Sequence, residues 1–262
     1  MNWKVTALIA VVPLAFVLGY LVQVFMAEES LPAIEPVVES RPESNAIERE
    51  AYQTPDRESY SEEVYIEQDP IVAPPATLDD SDEQVREAVL DLAPAMASWL
   101  IPEEQVRKWV LMIDLMAEGK LPRRYRPLNY PMAGFKVDDK AGMVVSDPVN
   151  YERANILLDQ ILAIEPQRLA NYYRQWQPLL DKAYRELGKP GSFDQRLRLA
   201  IEQVLAVKPR GEQAALKRPG VFYQYVDPQL EKSGELDRLM WRLGEENTLR
   251  LQVYLKKLSA EL

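Results

Sequence analysis

The segment PQRLANYYRQWQPLLDKAYRELG, residues 166–188, decides the fold. Leu169, Tyr172, Tyr173, Trp176, Leu179, Leu180, Ala183, Tyr184 and Leu187 recur three or four residues apart, so they form one continuous stripe on a helix of period 3.6. Strand alternation cannot produce that pattern. Pro166 stands where a first helical turn tolerates proline, and Gly188 and Pro190 mark the end. Pro178 lies inside the stripe and predicts a kink or a split near Gln177. Rings at helical spacing pack a core far more readily than they stack on a sugar.

Further helices follow on both sides. The run Ser81-Asp82-Glu83-Gln84 has the form of a capping box and opens a short helix with Val85, Ala88, Val89 and Leu92 on one face. Pro102 marks a helix start and Gly119 its C-terminal cap, and between them Trp109–Ala117 is apolar nearly all round, as in a central buried helix. Leu121–Pro131 holds three prolines and predicts an irregular loop. Phe135–Val137 and Met143–Val145 flank DDKAG and read as a small hairpin. Asp147-Pro148 turns the chain into a helix over about 150–164, and another carries Phe193, Leu197, Ala200, Ile201, Val204 and Leu205. Val221–Val226 reads as a short strand with Val221, Tyr223 and Tyr225 on one side. Helices near 236–243 and 245–258 close the chain. The expectation is a mainly α domain of seven or eight helices with a minor β element over residues 81–262.

The first 80 residues differ in kind. Residues 5–26 are 22 uncharged residues, long enough at about 1.5 Å per residue to cross a hydrocarbon core of roughly 30 Å. Phe25 spoils the only obvious cleavage signature, ending at Ala27, so the segment reads as an uncleaved transmembrane anchor. Lys4 precedes it and Glu28 and Glu29 follow, which places residues 1–4 in the cytoplasm and the body outside it. In a Gram-negative cell this is an inner-membrane protein with a periplasmic domain. Residues 27–80 hold seven prolines, 15 acids and three bases, the composition of an extended, disordered linker. Glu62–Ile66 within it could add as a strand to a partner.

Charge and composition exclude much chemistry. The net charge is −10, but the 81–262 body holds 27 bases and 26 acids, so the negative charge belongs to the linker. Nucleic acid is a poor partner, since counterion release needs clustered cations. The chain has no Cys and no His. Thiolate nucleophiles, disulfides, His-based triads and His or Cys metal sites are thereby excluded, and no cofactor or metal is expected.

Two groups stand out as candidate ligand- or partner-binding residues. Arg123, Arg124, Tyr125 and Arg126, with Tyr130, offer guanidinium forks and rings suited to carboxylates, phosphates or sugars. The plainer account pairs these arginines with domain acids while the prolines pack the loop. Lys217 and Arg218 stand beside Phe222, Tyr223 and Tyr225, and if the two groups meet they form one basic, aromatic groove; the plainer account is an edge strand with half-buried rings. Asp114, alone in an apolar helix, is either an acid raised by burial or the partner of Arg123 or Arg124. Glu245 and Glu246 follow Gly244 at a helix start, where acids offset the dipole. No catalytic residue is assigned.

Residues 78–262 resemble a bacterial family, the domain of unknown function 3014. The resemblance rests on Leu78–Asp82, Leu121–Arg124, Asp147-Pro148 before Asn150-Tyr151, Leu179-Leu180 through Ala183–Gly188, Lys217–Pro219 and Gly244–Asn247. It implies a single-span envelope protein with an acidic, proline-rich linker and carries no assigned activity. The expected function is non-catalytic, an anchored protein whose exported domain binds an envelope protein or cell-wall polymer. Two alternatives stay open. A glycan-acting enzyme requires two acids about 5–9.5 Å apart in an open cleft, and an assembly factor for membrane complexes requires an exposed apolar groove. The oligomeric state is not legible in the sequence.

Overall fold

The computed structural model of the chain describes residues 71–262 apart from Arg123 and Glu212. The membrane segment 5–26, the linker up to Pro70 and its Glu62–Ile66 stretch lie outside the described residues. Among the described residues no helix is long and apolar enough to cross a membrane.

The architecture is mainly α. Among the described residues eight helices follow in order: α1 (Asp82–Leu92), α2 (Gln105–Met116), α3 (Asn155–Leu162), α4 (Pro166–Glu186), α5 (Phe193–Ala206), the single turn α6 (Pro228–Glu231), α7 (Glu235–Leu243) and α8 (Glu245–Glu261). Two 3-10 segments, Pro94–Trp99 and Pro148–Ala154, sit between them. Helix α2 packs on α4 and α5, and α8 packs on the same two helices. Trp109, Trp176 and Phe193 are fully buried at this centre.

The stripe on α4 faces the core as its spacing predicts: Leu169 through Tyr184 are buried and Leu187 is half-buried. The predicted break at Pro178 does not occur, and α4 runs unbroken for 21 residues. Pro178 is on the exposed side, where water can serve the carbonyl that its missing N–H leaves free, while the buried stripe holds the helix on both sides of it.

The ends of the helices follow local chemistry, with two corrections. Helix α1 starts at Asp82 as expected, but no capping box forms, because the Ser81 hydroxyl turns back to donate to the Leu78 carbonyl at 2.7 Å. Asp82 instead accepts from the backbone N–H of Gln105 at 2.8 Å, capping α2 across space. Helix α2 begins three residues after Pro102, since Glu103 and Glu104 both adopt positive φ. Its other end is as expected: Gly119 has φ +68°, its N–H donates to the Met116 carbonyl, and Lys120 N–H donates to Leu115, a Schellman closure. A capping box does form at α5, between Ser192 and Gln195.

The β element is a pair of two-stranded ribbons. In the first, β1 (Val137–Lys140) pairs antiparallel with β2 (Met143–Ser146). Its turn is only Ala141-Gly142, both at positive φ, the mirror-image geometry that matches strand twist. Asp138 to Lys140, expected in the loop, therefore belong to the strand. The second pairs β3 (Leu216–Lys217) with β4 (Gln224–Tyr225). The strand expected over Val221–Val226 shrinks to two residues, because Val221 and Phe222 sit in an exposed bend after Pro219-Gly220. A bridge between Val145 and Ala215 joins the two ribbons.

Residues 71–80, read from composition as linker, include core positions. Leu78 is buried, and Ile71 and Val72 pack against the same cluster.

Candidate functional site

The arginine loop is fastened at its base and open at its tip. Leu121, Pro122, Pro127 and Leu128 are buried. Ile101 N–H and the Gln105 side-chain amide both donate to the Pro127 carbonyl, and Glu235 accepts from Leu121 N–H at 3.0 Å. Tyr130 is buried edge-on against Trp99, with ring centres 4.7 Å apart, so it packs the core and offers no face to a ligand. Arg124 and Tyr125 are exposed and Arg126 is half-buried; Arg123 lies outside the described residues. The fastened base agrees with the packing account of the prolines.

The second group sits on the ribbon pair. Lys217 and Arg218 are exposed. The Arg218 guanidinium stands 5.4 Å over the Tyr223 ring, and its Nε donates to the Val221 carbonyl at 3.2 Å. Tyr223 meets Phe135 at 5.6 Å, and Tyr225 meets Trp241 of α7 edge-on at 6.2 Å. The register Leu216 to Tyr225 sets these rings on the ribbon.

These rings wall a cleft of about 40 Å³ together with residues that no local motif marked. Its lining includes Phe135, Tyr151, Tyr223, Tyr225 and Trp241, with Arg210 and Arg242. Residues of the arginine loop are not among the described lining residues, nor are Lys217 and Arg218. The structure thus joins Tyr223 and Tyr225 to a different set of arginines from the one expected.

Each wall has a local cause. Arg210 follows α5, and its guanidinium lies 5.8 Å over the Trp241 ring. The Trp241 indole N–H donates to the Lys208 carbonyl at 3.1 Å, which fixes the ring beneath that guanidinium. Arg153, at the end of the second 3-10 segment, lies 5.7 Å over Phe135. Tyr151 is held from behind: Asn247 of α8 donates to its carbonyl at 2.9 Å and to Asn155 at 2.8 Å. Asn150 closes the base of the first ribbon by pairing with both backbone groups of Lys136. Burial pushes the Tyr225 phenol up, opposed by the nearby Arg242 and Arg210 charges, so the hydroxyl keeps its proton. Such a cleft presents guanidinium and phenol donors between flat rings.

Asp114 serves a structural cluster elsewhere. It is fully buried in α2, but its partners are Lys189 and Arg196, not Arg123 or Arg124. Lys189 donates to one carboxylate oxygen. Arg196 Nε lies 2.7 Å from the other as an ion pair, although its N–H is poorly aimed for a hydrogen bond. The same guanidinium donates to the Asp114 carbonyl at 2.6 Å. Glu118 joins both cations at 3.2 Å, and Lys120 and Lys189 hold its carboxyl down at about 2. With one oxygen on Lys189 and the other facing Arg196, this carboxylate is occupied by structural partners and has no edge left for a ligand.

A shallow cleft at the α7–α8 elbow gathers Glu152, Glu245 and Glu246 with Asn247 and Arg250. Glu245 and Glu246 occupy the first turn of α8, the position in which acids offset the helix dipole. Among the described residues no group of three or more acids is arranged to hold a metal ion.

Arg153, Arg210, Arg242 and Trp241 escaped sequence reading because they come from three separate elements. Trp241 alone carried a local signal, as a half-buried ring on an otherwise regular amphipathic helix.

Comparison with curated proteins found no match, and neither did comparison with solved structures. A family model matches residues 105–259, more than half of the chain and all of the elements that build the cleft. The chain belongs to the family described as Protein of unknown function (DUF3014).

Proposed function

We propose that this is a non-catalytic, single-pass inner-membrane protein whose periplasmic helical domain binds another envelope component. The membrane reading rests on the 22 uncharged residues at 5–26 and on Lys4 before them. The acidic, proline-rich segment that follows holds the domain away from the bilayer. The observation that carries binding is the cleft in which Tyr151, Tyr223, Tyr225 and Trp241 surround Arg210 and Arg242. Aromatic and arginine side chains are the residues that carry most binding energy at interfaces, and exposed Phe222 and Val221 extend an apolar edge next to Tyr223. The exposed tip of the arginine loop, Arg124 and Tyr125, is a second contact surface in the same reading.

The test uses the full chain in cells. A photo-crosslinking residue at position 222 is expected to give a discrete adduct with an envelope protein or with cell-wall polymer. The same residue at position 125 tests the arginine loop. A C-terminal reporter active only after export is expected to be active. Absence of adducts from both positions overturns the binding reading, and an inactive reporter overturns the topology.

A further inference from the structure

We infer that the cleft beside Arg210 is a receptor for a single carboxylate group, the acidic side chain of a partner protein; this rests on the binding reading above and names its chemistry. Size comes first. A cavity of about 40 Å³ accepts about three water-sized groups, well short of the several hundred Å³ that whole small-molecule ligands fill. Three heavy atoms is the size of a carboxylate head, so the ligand is the tip of something larger.

Charge comes second. The described lining residues include two guanidiniums and no carboxylate. Arg210 is half-buried. Its Nε is buried without a hydrogen-bond partner among the described residues, and its guanidinium contact is the face of Trp241. A planar guanidinium so stacked keeps its N–H edge free for a planar acceptor, the fork that carboxylates match in two parallel bonds. Trp241 is itself fixed by Lys208, so the fork is pre-aimed.

Shape comes third. The cleft is walled by the rings of Phe135, Tyr151, Tyr223 and Tyr225. Flat walls suit a flat head, and a tetrahedral phosphate is thicker. The phenol of Tyr225 stays protonated under burial and can donate to the same oxygen. Exposed Val221, Phe222 and Val226, chain neighbours of the lining residues Tyr223 and Tyr225, offer apolar surface to the stem that carries the acid.

The full chain, labelled with 5-fluorotryptophan and held in detergent micelles, gives five fluorine signals, one for each tryptophan. Trp241→Phe identifies the one in the cleft. Titration with N-acetyl-glutamic acid amide, one carboxylate on a capped residue, is expected to move that signal along a saturable curve and leave the other four in place. The capped glutamine analogue, of equal shape and no charge, is expected to leave it still. Arg210→Gln is expected to weaken binding at least tenfold and Arg210→Lys less, because the charge survives and the fork does not. The signals of Trp99, Trp109 and Trp176, which pack in the domain, report whether each variant is folded, and Tyr225→Phe is a second, milder variant with an expected severalfold loss. No saturable shift, an equal shift with the glutamine analogue, or an equal shift with inorganic phosphate overturns the carboxylate assignment. A crosslinked partner with no carboxylate response refutes this inference alone, whereas a carboxylate response without any crosslinked partner refutes the envelope-binding reading alone.

Discussion

The Tyr172 hydroxyl accepts the backbone N–H of Val72 at 3.1 Å, joining the middle of α4 to a residue one hundred positions earlier. The same hydroxyl donates to Asp91 on α1, and Arg168 grips that carboxylate with contacts of 2.7 and 2.9 Å. One turn further along α4, the Trp176 indole N–H donates to the Val72 carbonyl at 3.0 Å. Both backbone polar groups of Val72 are therefore held by side chains of α4. Burial and the neighbouring Asp91 push the Tyr172 phenol up, so it remains a donor. Helix α4 thus fastens the chain where it enters the domain from the acidic segment.

Replacing Tyr172 by Phe keeps the ring in the core and removes the hydroxyl. The expected cost is about 1–2 kcal/mol, the net worth of a shared hydrogen-bonding group that is partly buried. The effect is local as well as global. Hydrogen exchange at residues 71–80 is expected to accelerate well beyond that of α5, because Val72 loses one of its two holds. Equal acceleration everywhere, or none at 71–80, contradicts the role assigned to Tyr172.

What the sequence revealed and what it hid divide by range. The stripe on α4, the closure at Gly119 and the two closing helices depend on neighbours within one or two turns, and period and punctuation expose them. Asp114 shows the opposite case. Its isolation in an apolar helix announced a buried acid, but its cations lie 75 and 82 residues further on, and arginines nearer in the chain looked equally suitable. Ser81 failed as a cap because the Leu78 carbonyl was the nearer acceptor for its hydroxyl, a competition that the four-residue pattern does not contain. The cleft was hidden most completely. Its rings on the ribbon were visible as aromatics, but Arg210 and Arg242 reach it only through the packing of α7 beside the end of α5.

The Asp114 cluster makes an ordered prediction. Arg196→Met leaves a fully buried carboxylate with Lys189 alone, whereas Asp114→Asn removes the buried charge and leaves two cations that reach solvent and Glu118. Urea unfolding is expected to show roughly 2–3 kcal/mol lost in the first variant and about half that in the second, since stranding a buried charge costs more than deleting it. The pH dependence follows from Glu118, whose carboxyl is lowered from an ordinary 4.5 to about 2 by Lys120 and then Lys189. A lowered acid contributes stability that is present above the unfolded value and lost as pH falls through the folded one. Stability of the unmodified chain is therefore expected to fall between about pH 4.5 and 2 more steeply than that of Glu118→Gln. Identical acid limbs in the two proteins, or a reversed order of the two cluster variants, refute this account.

Gly244 sits between α7 and α8 at φ +84° and ψ 165°, a conformation essentially reserved for glycine. A Cβ there meets the Tyr151 side chain at 2.9, 3.0 and 3.1 Å, at Cγ, Cδ1 and Cβ. Gly244→Ala thus adds a clash to backbone strain, and the ring it displaces is a wall of the cleft. Gly142, at φ +85° in the first ribbon's turn, has nothing within 4 Å of its notional Cβ, so Gly142→Ala isolates the strain. Roughly 3 kcal/mol is expected for the first substitution and about 1 kcal/mol for the second, a difference of several degrees in Tm for a domain of this size. The clash has a second readout, because moving Tyr151 changes the surroundings of Trp241 across the cleft. The fluorine signal of Trp241 is expected to shift in Gly244→Ala and to stay in place in Gly142→Ala. Equal destabilisation with no shift in either protein means that the close approach of Tyr151 to the α7–α8 elbow does not shape the cleft.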